Sequence, residues 1–178
     1  MSAPDYRPET RLVHAGTLRS QFNEMSEALF LTQGYIYESA EACEARFAGK
    51  IPGYVYSRYS NPTMDMFEKR MAALEGAEAA RSTATGMAAV TTALMGLVKA
   101  GDHVVAAKAL FGSCRWVIEE WLPRFGVAST LVDGKDLNAW KEAITSETKC
   151  VFLETPSNPT LEVIDLEVVC AIAKGKGA

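Results

Sequence analysis

The sequence contains no apolar run long enough to cross a membrane, no Walker phosphate loop and no GxGxxG dinucleotide fingerprint. It has only two histidines, and its four cysteines are too far apart to form a CxxC pair. These absences argue against a membrane partner, against the two commonest nucleotide motifs and against a zinc or other metal site. No basic patch or charge run is present either, which argues against nucleic acid as the main partner.

The composition is that of a folded protein of modest size. A hydrophobic fraction of 48% is sufficient for a substantial core, and 178 residues suit one domain, or one domain with an arm. A net charge of −4 still permits small anionic ligands, because these respond to local geometry. Widely spaced cysteines without a secretory leader favour a reducing, cytoplasmic location. We therefore expect all four cysteines to be buried, inert thiols: Cys43, Cys114, Cys150 and Cys170.

The pattern of the chain changes near residue 60. Residues 1–60 mix polar, aromatic, glycine and proline positions, which predicts an extended arm with one short helix at 38–47. Exposed aromatic side chains in such an arm need a surface to cover, so the arm predicts contact with a neighbouring subunit. Residues 61–178 alternate between strand and helix patterns and predict the first part of an α/β domain, which we expect to be incomplete.

This alternation predicts a three-layer α/β fold, in which a mostly parallel sheet has helices on both faces. Ligands of such sheets bind beyond the carboxyl ends of the strands. The predicted helices span 61–76, 86–98, 113–124, 136–144 and 166–174, and the predicted strands span 77–82, 103–107, 127–132 and 150–153. The first of these helices is expected to have an apolar face made of Met64, Phe67, Met71 and Leu74.

A candidate phosphate site lies at residues 83–87, which follow a predicted strand and open a helix. Free backbone N–H groups at the positive end of a helix suit a phosphate dianion, and Gly86 permits close approach of the backbone. An ordinary helix start gives the same pattern, so this segment does not establish a site by itself.

Tyr56 and Arg58 form a second candidate anion site. In an extended segment, side chains two positions apart point to the same side, so a phenol and a guanidinium could bind one anion together. The alternative is a solvent-facing arginine beside a packing tyrosine. The Asn-Pro-Thr helix start that follows directly favours the anion site, because it fixes where the segment leads.

Two further candidates lie at predicted strand ends. Phe111 could lie flat on a cofactor ring, or could belong to the core. Asn158 lies in a loop restricted by two prolines and could direct its carboxamide to a ligand, or bond its own backbone. The run at 146–149 has the S-x-T-K order of a cofactor-binding lysine turn, but it precedes a strand. We interpret it as a surface loop at the opposite sheet edge.

In their order and spacing, these segments resemble the cysteine/methionine metabolism family of pyridoxal-phosphate enzymes, which have fold type I. The resemblance rests on Y-x-R-x-x-N-P-T at 56–63 and E-T-P-x-N-P-T at 154–160, and it covers residues 10–178. That is less than half of a family member, so the resemblance implies a truncated large domain. The arm segments at 12–16 and 53–59 are most similar to the sulfhydrylase branch.

The resemblance implies that pyridoxal 5'-phosphate is the cofactor and that the protein is a homo-oligomer, a dimer of dimers. Tyr56 and Arg58 would bind the phosphate in the neighbouring subunit's site. The backbone N–H groups of Gly86 and Met87 would bind the phosphate in their own subunit.

The resemblance also implies roles for the strand-end candidates. Phe111 would stack on the pyridine ring at a position where most relatives have tyrosine, and Asn158 would contact the ring oxygen or the substrate carboxylate. The lysine that carries the cofactor and the aspartate that pairs with the pyridine nitrogen would lie beyond Ala178. We therefore expect this chain alone to be inactive.

The implied reaction is γ-replacement on an O-acylhomoserine, with O-succinylhomoserine and sulfide giving homocysteine for methionine biosynthesis. The acyl group and the sulfur donor stay open. A cystathionine γ-synthase or γ-lyase reaction is the alternative within the family. Two hypotheses without this chemistry also stay open. The chain could be a non-catalytic assembly module of the same fold, or an unrelated α/β nucleotide-binding domain.

Overall fold

The structure, a computed structural model, describes residues 6–178, which form two compact units. The N-terminal unit ends at Ser82, and the C-terminal unit is Thr83–Ala178. The first five residues of the predicted arm lie outside the described residues. The division into an arm of residues 1–60 and a domain of residues 61–178 remains a prediction about the assembled protein.

Three helices belong to the N-terminal unit: α1 (Pro8–His14), α2 (Ala40–Phe47) and α3 (Pro62–Glu75). Helix α2 confirms the short helix predicted within the arm. Helix α1 is not predicted, because its seven residues are too few to show a helical repeat. Its N-cap, Arg7, also has no side-chain capping bond that a pattern could reveal.

Helix α3 begins and ends where the sequence predicts. The Asn61 side chain accepts the Thr63 N–H at 2.9 Å, and Pro62 occupies the first turn. Gly76 ends the helix in the left-handed region at φ 63°. Local capping chemistry is therefore sufficient to define this element.

The predicted apolar face of α3 is wrong at two of its four positions, since Met71 and Leu74 are half-buried but Met64 and Phe67 are exposed. Met66 is buried in the structure, whereas Met64 and Phe67 are 43% and 52% exposed. The segment after α1 covers the Met66 side: a Cβ on Gly16 would lie 2.7 Å from the Met66 carbonyl oxygen. Arg70 Nε also donates to the carbonyl oxygen of Ala15 at 3.1 Å. Contacts with this distant segment, rather than the helical repeat, decide which face is buried.

The C-terminal unit alternates helices and strands, as predicted. Its elements are α4 (Gly86–Leu97), β1 (His103–Ala107), α5 (Gly112–Trp116), β2 (Ala128–Val132), α6 (Leu137–Ala143), β3 (Thr148–Phe152) and α7 (Leu166–Lys176). The predicted helix at 113–124 changes its hydrogen-bond pattern along its length. After α5 it continues as a π-helical turn, Val117–Trp121, and a 3-10 turn, Leu122–Phe125.

The sheet has the order β2-β1-β3, and both pairings are parallel. The central strand β1 is buried on both faces. Val104 and Ala106 pack in a core with α4 and the helical segment after β1, and Val105 and Ala107 pack with α6 and α7. Helices therefore cover both faces of a parallel sheet, which confirms the predicted three-layer architecture.

The strand predicted at 77–82 is wrong. In this segment the Ser82 N–H and hydroxyl both donate to Glu68 of α3 at 2.9 Å, and Arg81 forms an ion pair with the same carboxylate. A strand requires backbone pairing with a neighbouring strand. Here the Glu68 side chain accepts the hydrogen bonds of Ser82, so the Ser82 N–H does not pair with a neighbouring strand.

The cysteines are free, but the expectation that all four are buried is wrong. Cys114 is buried, Cys43 and Cys150 are half-buried, and Cys170 is exposed. Helix α7 buries Val169 instead, which is the preceding position. Within residues 6–178, the structure contains no helix of the length and apolar character that a membrane crossing needs.

Candidate functional site

A cavity of about 620 Å³ lies at the carboxyl ends of the strands in the C-terminal unit. The start of α4, the residue before α5, the end of β3 and the following loop contribute to its lining. Four residues that the sequence analysis singles out line this one cavity: Gly86, Met87, Phe111 and Asn158. This is the edge of a parallel α/β sheet where ligands normally bind.

The first side of the cavity is the start of α4. Thr85 is the N-cap, and its hydroxyl accepts the Ala88 N–H at 3.1 Å. The N–H groups of Gly86 and Met87 come before this bond and have no acceptor within the helix. A Cβ placed on Gly86 would meet no atom within 4 Å, so the space beside it is open. These donors, at the positive end of the helix, suit an anion.

The second side of the cavity is apolar and partly aromatic. Phe111 directly precedes α5 and is 43% exposed, so it is not a core residue of the described chain. Met87, Val90 and Phe152 supply further apolar surface. An exposed ring beside such a surface suits a flat heteroaromatic ligand, since aromatic rings favour offset stacking.

Glu154 connects the two loops that carry Phe111 and Asn158. Its Oε2 accepts the Phe111 N–H at 2.8 Å, and its Oε1 accepts the Asn158 N–H at 3.0 Å. Burial raises the pKa of the nearby Cys114 thiol, and the negative charge of Glu154 raises it further. The sequence analysis places Glu154 in a motif but assigns it no role. A carboxylate directly after a strand, followed by a loop, was the available signal.

The S-x-T-K run at 146–149 lies away from this cavity, as interpreted. Thr148 is the first residue of β3 and pairs with His103, the first residue of β1. The run therefore lies at the amino ends of the strands, opposite the edge that carries the cavity.

Tyr56 and Arg58 lie in the N-terminal unit, in a turn rather than in the expected extended segment. The Tyr59 N–H donates to the Tyr56 carbonyl oxygen at 2.9 Å, which closes the turn. The Arg58 guanidinium lies 4.8 Å from the centre of the Tyr56 ring and 5.5 Å from that of Tyr59. The phenol and guanidinium are thus together, but a turn and cation–π contacts bring them together.

Arg58 lines a second cavity, of about 560 Å³, within the N-terminal unit. Two other cations line it, and both are paired: Lys69 with Asp65 at 2.7 Å, and Arg81 with Glu68 at 2.8 Å. Within the part of the chain that the structure describes, Arg58 has aromatic neighbours and no carboxylate partner. Its charge is therefore available to an external anion.

The arm holds this turn in place. The Ser57 N–H donates to the Gln33 carbonyl oxygen at 2.8 Å, and Gly34 forms an isolated bridge with Tyr56. The Asn61 carboxamide donates to the Phe30 carbonyl oxygen at 2.9 Å and to the Ser57 hydroxyl at 3.0 Å. Residues 30–34 therefore position the Tyr56–Arg58 turn, a role that no local pattern reveals.

Tyr54 and Asp65 connect the turn to α3. The Tyr54 hydroxyl donates to Asp65 Oδ2 at 2.8 Å. Burial, this hydrogen bond and the carboxylate charge raise the pKa of Tyr54 to about 12. Burial acts to raise the pKa of Asp65 as well, but hydrogen bonds from Lys69 and Tyr54 outweigh it, so that pKa lies below its usual value.

We expect the phenol of Tyr54 to ionise near pH 12 instead of pH 10. Because the folded state favours the neutral phenol, its contribution to stability is complete below pH 10 and is lost as the pH rises toward 12. A spectrophotometric titration of phenolate absorbance measures this ionisation. Tyr54→Phe should remove the late-ionising group and Tyr6→Phe should retain it; a late group that persists in Tyr54→Phe contradicts the assignment.

Comparison with known proteins shows the family to which the chain belongs. Residues 9–178 match the family described as Cys/Met metabolism PLP-dependent enzyme. Over 166 residues, the chain is 52% identical to O-succinylhomoserine sulfhydrylase of Mycobacterium tuberculosis, with coverage of 93% of this chain and 41% of that protein. Over 173 residues, it is 40% identical to L-methionine gamma-lyase of Fusobacterium nucleatum, with coverage of 97% and 44%.

A solved structure gives the same result for the fold. A crystal structure assigned as O-acetylhomoserine (thiol)-lyase from Campylobacter jejuni, containing N'-pyridoxyl-lysine-5'-monophosphate, has a TM-score of 0.91 and 31% identity. The match covers 97% of this chain and 42% of that one, and it confirms the predicted fold class. The chain thus spans about two fifths of the length of the relatives that it matches. It belongs to the Cys/Met metabolism family of pyridoxal-phosphate-dependent enzymes.

Proposed function

We propose that this chain supplies the phosphate- and ring-binding part of an enzyme that performs γ-replacement on O-succinylhomoserine with sulfide. The observation that carries the proposal is that Gly86, Met87, Phe111 and Asn158 line a single cavity at the strand ends. The sulfhydrylase assignment is supported by 52% identity to a protein of that name. A cytoplasmic location is part of the proposal, because free cysteines suit a reducing compartment.

The residues present fit pyridoxal phosphate by the chemistry of their donors. The N–H groups of Gly86 and Met87 would donate to its phosphate at the positive end of α4. The Phe111 ring would pack against its pyridine ring, and the Asn158 carboxamide would donate to its ring oxygen or to the substrate carboxylate. When bound, the cofactor withdraws electrons from the α-carbon of the amino-acid substrate.

The phosphate requires more positive charge than this cavity offers. A helix start supplies roughly half a unit charge, whereas the phosphate carries nearly two negative charges. Within residues 6–178, no arginine or lysine lines the cavity. Arg58, which has no carboxylate partner in the described chain, would supply the missing charge from a neighbouring subunit, with Tyr56 as a second donor. The proposal therefore includes a homo-oligomer.

The identity of residue 111 limits which groups could move protons in the proposed reaction. A phenylalanine can stack on the cofactor but has no hydroxyl with which to move a proton. Proton transfer in the proposed reaction would then fall to groups other than residue 111. Methionine γ-elimination is the second candidate, favoured by 40% identity to a methionine gamma-lyase.

The test uses a hybrid protein, in which this chain replaces the matching N-terminal region of the Mycobacterium tuberculosis relative. We expect the hybrid to bind pyridoxal phosphate and to form homocysteine from O-succinylhomoserine and sulfide. A folded hybrid that never binds the cofactor contradicts the proposal. A hybrid that binds it but releases methanethiol from methionine, without forming homocysteine, favours the second candidate.

A further inference from the structure

We infer that Glu154 is a positioning residue, which sets the places of Phe111 and Asn158 in the cavity through the two oxygens of its carboxylate. The inference rests on the proposed function, because the importance of those two residues comes from the cofactor ring that they would contact. Glu154 itself acts through their backbones. Its oxygens lie 2.8 Å from the Phe111 nitrogen and 3.0 Å from the Asn158 nitrogen.

The place of Glu154 in the fold explains how one side chain reaches both loops. It follows β3 by two positions, and β3 is the direct neighbour of β1 in the sheet. The loop after β1 leads to Phe111, and the loop after β3 leads to Asn158. A carboxylate between these loops fixes the separation of the two backbones and hence the place from which each side chain starts.

The two contacts require a carboxylate specifically. A glutamine in the same place has one acceptor oxygen, and its NH₂ group would face an N–H group. An aspartate is one methylene shorter and could not reach both donors from the same backbone position. The two N–H donors also stabilise the negative charge of Glu154 through charge-assisted hydrogen bonds.

The loop has other hydrogen bonds that do not depend on Glu154. The Ser157 N–H donates to the Glu162 carbonyl oxygen at 3.0 Å, and the Glu162 N–H donates to the Ser157 hydroxyl at 2.9 Å. The Ile164 N–H donates to the Thr155 hydroxyl at 3.0 Å. These bonds hold the far side of the loop, so we expect replacement of Glu154 to shift the cavity side and leave the loop folded.

The test compares Glu154→Gln with Glu162→Gln in the hybrid protein. Both variants convert a carboxylate to an amide in the same loop, but the Glu162 carboxylate faces Lys135 at 3.5 Å and does not line the cavity. In Glu154→Gln, we expect at least one of the Phe111 and Asn158 amides to exchange hydrogen about tenfold faster in the cofactor-free protein. We also expect about tenfold weaker binding of pyridoxal phosphate, with altered circular dichroism of its visible band. Glu162→Gln should change none of the three.

Unchanged amide exchange and unchanged circular dichroism in Glu154→Gln overturn the inference. Failure of the unmodified hybrid to bind the cofactor counts against the proposed function alone, since amide exchange in the cofactor-free protein still tests the role of Glu154.

Discussion

Replacing Arg58 with alanine should weaken the binding of pyridoxal phosphate to the hybrid protein by roughly 30-fold to several thousand-fold. Truncating one member of a close charge pair costs about 2–5 kcal/mol. The effect should be large because the cavity that contains Gly86 has no arginine or lysine of its own within residues 6–178. Equilibrium titration with the cofactor, followed by its visible absorbance, measures the change.

Arg81→Ala is the matched control. Arg81 lines the same N-terminal cavity as Arg58, but its side chain is 82% exposed and already pairs with Glu68. Exposed ion pairs contribute about 1 kcal/mol or less, so cofactor binding should change by less than about fivefold. Equal losses in Arg81→Ala and Arg58→Ala would indicate a general effect of charge and contradict a specific phosphate contact.

Mixed oligomers can test whether Arg58 acts on its own subunit or on a neighbour. Gly86→Asp places a carboxylate at the proposed phosphate site, so it should abolish cofactor binding to its own cavity. If Arg58 acts across the interface, a mixed oligomer brings the intact cavity of an Arg58→Ala subunit next to the intact Arg58 of a Gly86→Asp subunit. Mixing should then restore binding that neither variant shows alone. No recovery in mixed oligomers contradicts the intersubunit role.

Local chemistry explains which parts of the fold could be predicted. Helix α3 begins at Asn61 and ends at Gly76 because a cap and a left-handed glycine act within a few residues of each other. The strands β1, β2 and β3 are also predicted, since each is a short segment rich in apolar and β-branched residues between helical segments. Their parallel order then follows from the crossover connections.

Tertiary contacts explain the errors. The segment at 77–82 lies between two helices, where an α/β pattern calls for a strand, but its hydrogen bonds go to the Glu68 side chain instead of a neighbouring strand. The repeat in α3 permits two apolar faces, and the approach of Gly16 selects the one that contains Met66. The hydrogen-bond partner of residues 77–82 and the buried face of α3 both depend on distant segments. An interpretation of each segment by itself therefore cannot predict them.

The candidate site also combines features that the sequence predicts with features that depend on tertiary contacts. Phe111 and Asn158 could be placed at one sheet edge from sequence, because both follow parallel strands. The link between them through Glu154 spans 43 residues and depends on the order of β1 and β3 in the sheet. Tyr56 and Arg58 were expected to meet through strand geometry, yet a turn held by residues 30–34 brings them together.

Trp140→Ala should have the largest effect on stability, a loss of about 3–5 kcal/mol in the free energy of unfolding. Trp140 is fully buried between the sheet and α7, and its Nε1 donates to the Gly134 carbonyl oxygen at 3.0 Å. The surroundings cannot collapse easily into the space, because Gly134 already packs closely: a Cβ there would lie 2.4 Å from Ile164 Cδ1. Urea unfolding of the 178-residue chain, followed by circular dichroism, measures the loss.

Two further tryptophan variants separate the causes of this loss. Trp140→Phe keeps most of the apolar volume but leaves the Gly134 carbonyl without its donor, which should cost about 1–3 kcal/mol. Trp116→Ala removes a ring that is 47% exposed and should cost about 1 kcal/mol or less. Similar losses for Trp116→Ala and Trp140→Ala would mean that the α6 face of the sheet does not form the tightly packed core described above. The loss in the free energy of unfolding should be largest for Trp140→Ala, smaller for Trp140→Phe and smallest for Trp116→Ala. This order follows if burial contributes most of the loss and the hydrogen bond a smaller part.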